Sequence, residues 1–210
     1  MKEKYVITIG RQFGSGGREI GRLVAHKLGI KYYDKELLAE AARESGVNTE
    51  FFEASDEKSP SIFAQSNLWA FNVGYNIGNF FSAEISFSDD KLYQAQSDVI
   101  KKFAEQSPCV IVGRSADYVL REHPCLISIF ISASEEACIK RIIERCDCND
   151  EEEAITLIEK KNKLRSNYYN FYSDKEWGNA TSYDLCIDSS KLTTELVADI
   201  IVEYVKKRIS

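Results

Sequence analysis

The chain has no pair of Cys or His motifs at the spacing that a zinc site requires. Cys146-Asp147-Cys148 is a close cysteine pair, but no second Cys or His pair accompanies it, so we expect incidental thiols. Cys109, Cys125 and Cys186 lie in or beside apolar runs, where a free cysteine behaves as a small hydrophobic residue. We therefore expect a protein whose thiols are reduced.

Long apolar runs, a leader pattern and an excess of positive charge are also missing. No run approaches the length of a membrane span, and the first residues, MKEKYVITIG, do not resemble a signal peptide. The net charge is −6 and the pI is about 5.2. A protein that binds duplex DNA or an anionic membrane usually carries a basic face. We expect a cytoplasmic protein without nucleic-acid or membrane partners.

Internal repeats and low-complexity tails are absent as well, and what remains is an alternation of short apolar runs with helical patterns. The 210 residues, 44% hydrophobic, suffice for one domain with a good core. Five strands are predicted, at 5–9, 30–33, 109–113, 126–132 and 185–188. Helices are predicted after the first strand up to Gly29 and at 35–45, 89–106, 134–145, 150–170 and 193–208. Such alternation predicts an α/β fold, a parallel sheet with helices on both faces.

Residues 47–88 do not follow this pattern. They contain Pro60 and a stretch rich in aromatic, Asn and Gly residues. We assign them to an inserted helical subdomain. Ser88 is a suitable N-cap for the helix that follows, with Asp89 and Asp90 in its first turn, so we expect that helix to begin at 89.

Polar residues and glycines collect where the predicted strands end. They are the glycine loop that follows the first strand, Asp34, Gly113-Arg114, Ser132 and Asp188. In parallel α/β sheets ligands bind beyond the carboxyl ends of the strands, so this edge is the predicted location of a site.

The glycine loop has the layout of a phosphate-binding site. Four glycines, at 10, 14, 16 and 17, separate a strand from a helix. Backbone N–H groups in such a loop surround an anion, and the helix N-terminus adds partial positive charge. The residues predicted to bind the ligand are Arg11, Gln12, Phe13, Gly14, Ser15, Gly16, Gly17, Arg18 and Glu19.

The loop departs from the strict pattern G-x-x-x-x-G-K-[ST] of nucleotide kinases. Arg11 stands at its first glycine and Gly17 at its lysine. Because backbone amides form the cradle, Arg18 or Arg11 could supply the missing charge as a forked guanidinium. Glu19 could hold Mg²⁺ directly or through water. A tight glycine turn without a ligand is the alternative interpretation.

Several blocks together resemble the cytidylate kinase-like family of P-loop nucleoside-monophosphate kinases. They are ITIGRQFGSGGREIG, KLGIKYYDKELL, QAQSDVIKKFAEQSPCVIVGRSADYVL, IFISASEEACIKRI, KLRSNYYNFYSDKEWG and YDLCIDSS. The resemblance implies a P-loop kinase fold over residues 1–210, with a helical acceptor-binding insertion at 35–107 and a short lid at 141–165. It further implies transfer of a phosphoryl group from ATP, with Mg²⁺, to a nucleoside monophosphate, nominally CMP or dCMP.

The resemblance also implies site residues. Asp34 corresponds to an acid at the acceptor site, and Arg114 to the Arg of a Gly-Arg-Asp motif whose Asp is Ser115 here, with Asp117 nearby. Asn162 and Arg165 correspond to an Asp and Arg pair that contacts the acceptor and the phosphates. The expected acceptor-binding residues are Asp34, Arg114, Asp117, Asn162 and Arg165, and the expected catalytic arginines are Arg18, Arg114, Arg145 and Arg165.

Three hypotheses follow: a cytidylate-like nucleotide kinase, a P-loop kinase of another small molecule, and a non-catalytic nucleotide-binding regulatory protein. The second is favoured by the exchange of the acceptor acids for Ser115 and Asn162. The third is favoured by the loss of the residues that usually bind the metal. We expect a monomer or a homodimer.

Overall fold

The protein is built on a five-stranded parallel sheet. The computed structural model describes residues 4–34, 36–38 and 78–210. The strands are β1 (Val6–Arg11), β2 (Lys31–Tyr33), β3 (Cys109–Val112), β4 (Leu126–Ser132) and β5 (Leu185–Asp188), in the order β2-β3-β1-β4-β5. Every neighbouring pair is parallel, with Val6 aligned to Cys109 on one side and to Leu126 on the other. The prediction of five parallel strands is confirmed.

Besides a helical stretch at residues 36–38, the described ranges contain six α-helices. They are α1 (Gly17–Leu28), α2 (Gly78–Gln106), α3 (Ala116–Val119), α4 (Glu135–Glu144), α5 (Glu151–Tyr172) and α6 (Thr194–Arg208). A short 3₁₀ turn, Ala180–Ser182, precedes β5. The side chains of Ser134, Asp150 and Thr193 accept hydrogen bonds from first-turn amides of α4, α5 and α6. These caps explain why the three helices begin where they do.

Helices cover both faces of the sheet, as predicted. Alternate residues of a strand point to opposite faces. Ile7 and Ile9 of β1 are buried in a cluster with α1 and α6, whereas Val6 is buried in a cluster with α2 and α3. A third cluster joins α4 to α5 and includes Phe13 of the glycine loop. The core thereby fixes the loop against α5, a helix far from it in the sequence.

One helix boundary was wrong. The helix predicted to begin at 89 starts at Gly78 and runs through Ser88 to Gln106. Ser88 is therefore not an N-cap, because a local capping preference of about 1 kcal/mol does not stop a helix that is already propagating. The helix predicted at 35–45 lies largely outside the described residues, as does most of the 47–88 stretch. The boundaries of the insertion at 35–107 and of the lid at 141–165 stay predictions.

Two general features of the described residues bear on function. All six cysteines are free thiols. None of the helices described in 78–210 or in α1 is long and apolar enough to cross a bilayer.

Candidate active site

The glycine loop ends in backbone amides that are open to a ligand, at the start of α1. Gly14 and Gly16 have φ angles of 81° and 78°, and no side chain caps α1 at Gly16. The Ser189 hydroxyl donates to the carbonyl of Ser15 at 2.8 Å. Since C=O and N–H of a trans peptide point in opposite directions, the N–H of Gly16 faces away from Ser189. Within the described ranges, no acceptor pairs with the amides of Gly16 to Glu19. An anion would satisfy them.

The opposite side of the loop is held by the ends of β4, β5 and α4. The amide of Gln12 donates to Ile131 O at 3.0 Å, and its side-chain oxygen accepts from Ala133 N at 2.9 Å. Arg141 donates to Gly14 O at 3.4 Å and to Ser189 O at 2.6 Å. These bonds fix the loop at Gln12 and at the carbonyl of Gly14. The sequence did not indicate the role of Ser189.

Helix α5 brings two predicted residues to the loop. Asn162 Oδ1 accepts a hydrogen bond from Phe13 N at 2.8 Å, and Arg165 Nη1 donates to Arg11 O at 3.2 Å. The Phe13 ring also faces the guanidinium groups of Arg145 and Arg165, 5.7 and 5.5 Å from its centroid. The amide of Phe13 is thus already paired and is not part of an open anion cradle. The ring contacts were missed, because Phe13 carries no signal in the sequence beyond its place in the loop.

The turn after β3 has an unusual backbone. Gly113, Arg114 and Ser115 have successive φ angles of 83°, 60° and 49°. Non-glycine residues in this region carry strain, and strained backbone clusters at functional sites. Arg114 is only 6% exposed although it is charged. The turn therefore places a buried guanidinium at the carboxyl edge of the sheet, where the sequence predicted a site.

A pocket lies between this turn and α5. Its lining includes Arg11, Arg114, Asp117 and Arg165, together with several aromatic rings. Two hydroxyls in the lining, of Thr8 and Ser115, are buried and have no hydrogen-bond partner among the described residues. Buried hydroxyls are nearly always paired, so these two are suited to a polar ligand.

Asp117 is a buried carboxylic acid at the back of this pocket. It is 6% exposed and accepts a hydrogen bond of 2.7 Å from Tyr169 OH. Burial raises the pKa of the Asp117 carboxyl, and the bond from Tyr169 opposes part of that rise. Burial and the neighbouring Asp117 raise the pKa of Tyr169, so the phenol stays a donor at neutral pH.

Replacing Asp117 with Asn is expected to change how stability depends on pH. The folded carboxyl, with its raised pKa, holds its proton to higher pH than the unfolded one. Over the interval between the two pKa values the native state binds more protons, so Asp117 lowers stability as pH rises. The variant should gain stability relative to the wild type as the pH is raised through that interval.

Urea unfolding of both proteins at about pH 4 and about pH 7 measures this difference, since a free aspartate titrates near the lower value. The exposed Asp174→Asn variant is the matched control. A difference between wild type and Asp117→Asn that stays constant with pH would contradict the prediction.

Arg18 lies near the end of β2 rather than over the loop. Its guanidinium pairs with Glu36 at 2.7 Å and approaches Asp34 at 3.6 Å. Asp34 is buried and also receives a hydrogen bond from Tyr32 OH at 3.1 Å and faces Arg22 at 3.4 Å. The structure therefore joins Arg18 to the predicted acceptor acid. Its expected contact with the phosphates stays a prediction.

Glu19 was the predicted metal ligand. It is exposed in the first turn of α1, and the described residues contain no group of three Asp, Glu, His or Cys side chains suited to a metal. At the end of β5, hydrogen bonds from Ser190 lower the pKa of Asp188. The carboxylates of the described residues fit Mg²⁺ only as it usually binds together with a nucleotide. Phosphates and waters then supply most of its ligands, and one or two carboxylates supply the rest.

The sequence of the chain matches known proteins. A sequence model described as the cytidylate kinase-like family covers residues 6–191, from β1 to the turn after β5. The chain belongs to the cytidylate kinase-like family. A cytidylate kinase of Archaeoglobus fulgidus is 25% identical over 206 residues, which are 95% of this chain and 94% of that protein. Membership in this family supports a kinase activity.

Solved structures agree on the fold. The crystal structure of an uncharacterized protein from Eubacterium ventriosum is 29% identical, covers 96% of this chain and 98% of its own, and gives a TM-score of 0.71. A shikimate kinase from Bacteroides thetaiotaomicron covers 96% and 98% at 12% identity, with a TM-score of 0.53. The predicted P-loop kinase fold of the cytidylate kinase-like chain is confirmed.

The predicted site residues fall into two groups. One group surrounds the loop and the pocket: Arg11, Arg114, Asp117, Asn162 and Arg165. The other joins Arg18 to Asp34 at the end of β2. Arg145 belongs to the loop side through Phe13, although its guanidinium also pairs with Asp147 at 2.6 Å.

Proposed function

We propose that this protein transfers a phosphoryl group from ATP to a nucleoside monophosphate, with CMP or dCMP as the acceptor. The observation that carries the proposal is the set of amides at the start of α1, which have no acceptor among the described residues and lie at the carboxyl edge of the sheet, with buried or half-buried arginines at the same edge. Amides of this kind bind polyphosphate through their N–H groups and the helix dipole. Six free cysteines are typical of a cytoplasmic enzyme.

Each group in the site has a role in this reaction. ATP supplies the phosphoryl group, and its polyphosphate is held by the loop from Arg11 to Glu19. Mg²⁺ would be held by Glu19 together with the nucleotide and would neutralise phosphate charge. Phosphoryl transfer depends on positioning and on neutralising charge at the equatorial oxygens. We assign that neutralisation to Arg114 and Arg165, which line one pocket. Asp34 orients the acceptor.

A different acceptor is the second candidate, and one contact favours it. Asn162 stands where the family pattern has an acid that contacts the acceptor, but its oxygen is bonded to Phe13 N at 2.8 Å. Ser115 replaces the other acid and is a neutral hydroxyl. Both changes remove negative charge that would bind hydroxyl or amino groups of a nucleoside. A P-loop kinase of another small molecule is consistent with them.

A panel of acceptors separates these functions. The purified protein is incubated with ATP and Mg²⁺ and with CMP, dCMP, UMP, AMP, GMP, shikimate or gluconate, and ADP formation is followed. We expect CMP or dCMP to give the highest kcat/KM. Transfer only to a non-nucleotide acceptor would establish the second candidate. Micromolar ATP binding without transfer to any acceptor would leave a non-catalytic nucleotide-binding protein.

A further inference from the structure

Relative to the usual P-loop pattern, a glycine and a cationic residue have exchanged positions in this loop. The pattern's first glycine is Arg11 here, and its lysine is Gly17. The structure shows that these two residues are neighbours. A Cβ atom built on Gly17 would lie 2.6 Å from Cβ and 3.0 Å from Cγ of Arg11. The stem of Arg11 therefore occupies the space in which a lysine side chain at position 17 would begin.

The guanidinium of Arg11 lies against a second glycine, Gly113. A Cβ atom on Gly113 would lie 2.1 Å from Nη1 and 2.9 Å from Cζ of Arg11, so any side chain there would displace the guanidinium. Gly17 and Gly113 thus clear both ends of the path of one side chain. That path leads from the end of β1, across the start of α1, to the pocket that Arg114 and Arg165 also line.

The competing cation, Arg18, has a different position. Its guanidinium lies between Glu36 and Asp34, and two carboxylates hold it at the end of β2. To reach a phosphate on the loop it would have to break the 2.7 Å pair with Glu36. The stem of Arg11, by contrast, lies directly against the loop at Gly17.

We infer that Arg11 is the residue that supplies the charge of the missing P-loop lysine, moved from the start of α1 to the end of β1. The inference rests on the proposed ATP binding and identifies a binding residue for the polyphosphate. A guanidinium stays charged at every physiological pH and offers a planar fork of donors to phosphate oxygens. Position 17 is then a glycine because a side chain there would occupy the same space as the stem of Arg11.

The test returns the positive charge from position 11 to position 17. ATP and ADP affinities are measured by calorimetry for the wild type, Arg11→Gln, Gly17→Lys and the double variant Arg11→Gly/Gly17→Lys. The Arg11→Gln variant loses one charge-assisted contact, so it should bind ATP about 10- to 100-fold more weakly than the wild type. Its affinity for ADP should fall less. Gly17→Lys alone should also weaken ATP binding, because its Cβ collides with Arg11. The double variant should recover most of the ATP affinity.

Thermal unfolding checks that each variant folds, and Arg11→Lys, which keeps the charge, should bind ATP better than Arg11→Gln. Arg208→Gln is the matched control, because Arg208 pairs with Asp184 before β5, at the other edge of the sheet. A double variant no better than Arg11→Gln, or a larger loss in Arg18→Gln than in Arg11→Gln, would overturn the inference. Equal losses of ATP and ADP affinity would show that Arg11 has only a structural role, and would also overturn the inference.

The outcomes for Arg11 and for the proposed function are distinct. ATP binding that depends on Arg11, without transfer to any acceptor, supports the inference and refutes the proposed kinase reaction. Transfer to CMP that is insensitive to Arg11→Gln supports the reaction and refutes the inference. A wild-type chain that does not bind ATP refutes both.

Discussion

Replacing Arg114 with Ala is expected to lower kcat for phosphoryl transfer by about 10³-fold or more, as for other arginines that stabilise a transferring phosphoryl group. Arg114 is 6% exposed and lines the pocket beside Arg165 and Asp117. It is not part of the loop that we propose holds the polyphosphate, so the Kd for ATP should change by less than about threefold, under 1 kcal/mol. Steady-state kinetics and calorimetry with ATP measure the two quantities separately.

The control for this variant is Arg114→Lys, which keeps a cation at the position but loses the fork. It should retain a stability close to that of the wild type and an intermediate kcat. Far-UV circular dichroism and thermal unfolding establish that both variants fold. A loss of ATP affinity as large as the loss of kcat would mean that Arg114 supports the whole site, not the reacting phosphoryl group.

Gly14→Ala is expected to reduce stability by about 2 to 5 kcal/mol, the sum of left-handed backbone strain and overpacking. Gly14 has φ 81°, and a Cβ there would lie 2.8 Å from Cβ and 2.9 Å from Cα of Cys138. Because the α4 backbone cannot move without displacing its buried neighbours, the loop must shift instead. ATP affinity should therefore fall by about tenfold or more, the equivalent of 1.4 kcal/mol.

Gly29→Ala separates the two causes. Gly29 also has a positive φ, 64°, but a Cβ there meets nothing within 4 Å. It should cost only the conformational strain, about 1 kcal/mol, and leave ATP binding unchanged. Urea unfolding and calorimetry on both variants check this. Equal stability losses in the two variants would show that contact with Cys138 contributes nothing.

The sheet was predictable from the sequence because its strands are short apolar runs with clear ends. The runs at 126–132 and 185–188 match β4 and β5 without error. The α2 boundary failed for a physical reason: Ser88, Asp89 and Asp90 favour a helix start, but a capping preference is local and a helix already formed upstream continues through it. The short helix α3 gave no periodic signal in four residues.

The candidate site was predictable as a location, but its pairings were not. The glycine loop and Arg114 stand out because their residue types follow strand ends. The bond between Asn162 and Phe13 joins residues 149 positions apart, and the pair of Arg18 with Glu36 depends on where the segment after β2 turns. Neither follows from spacing along the chain, because each results from the packing of separate elements.

The bonds from Arg141 and Ser189 to the carbonyls of Gly14 and Ser15 have a consequence for the thermodynamics of association. The peptide planes of the loop are oriented during folding, before any ligand arrives. The conformational entropy of ordering them is therefore lost once, when the chain folds, and not at each encounter with a nucleotide. Association should proceed close to rigid docking, with little slowing from loop rearrangement.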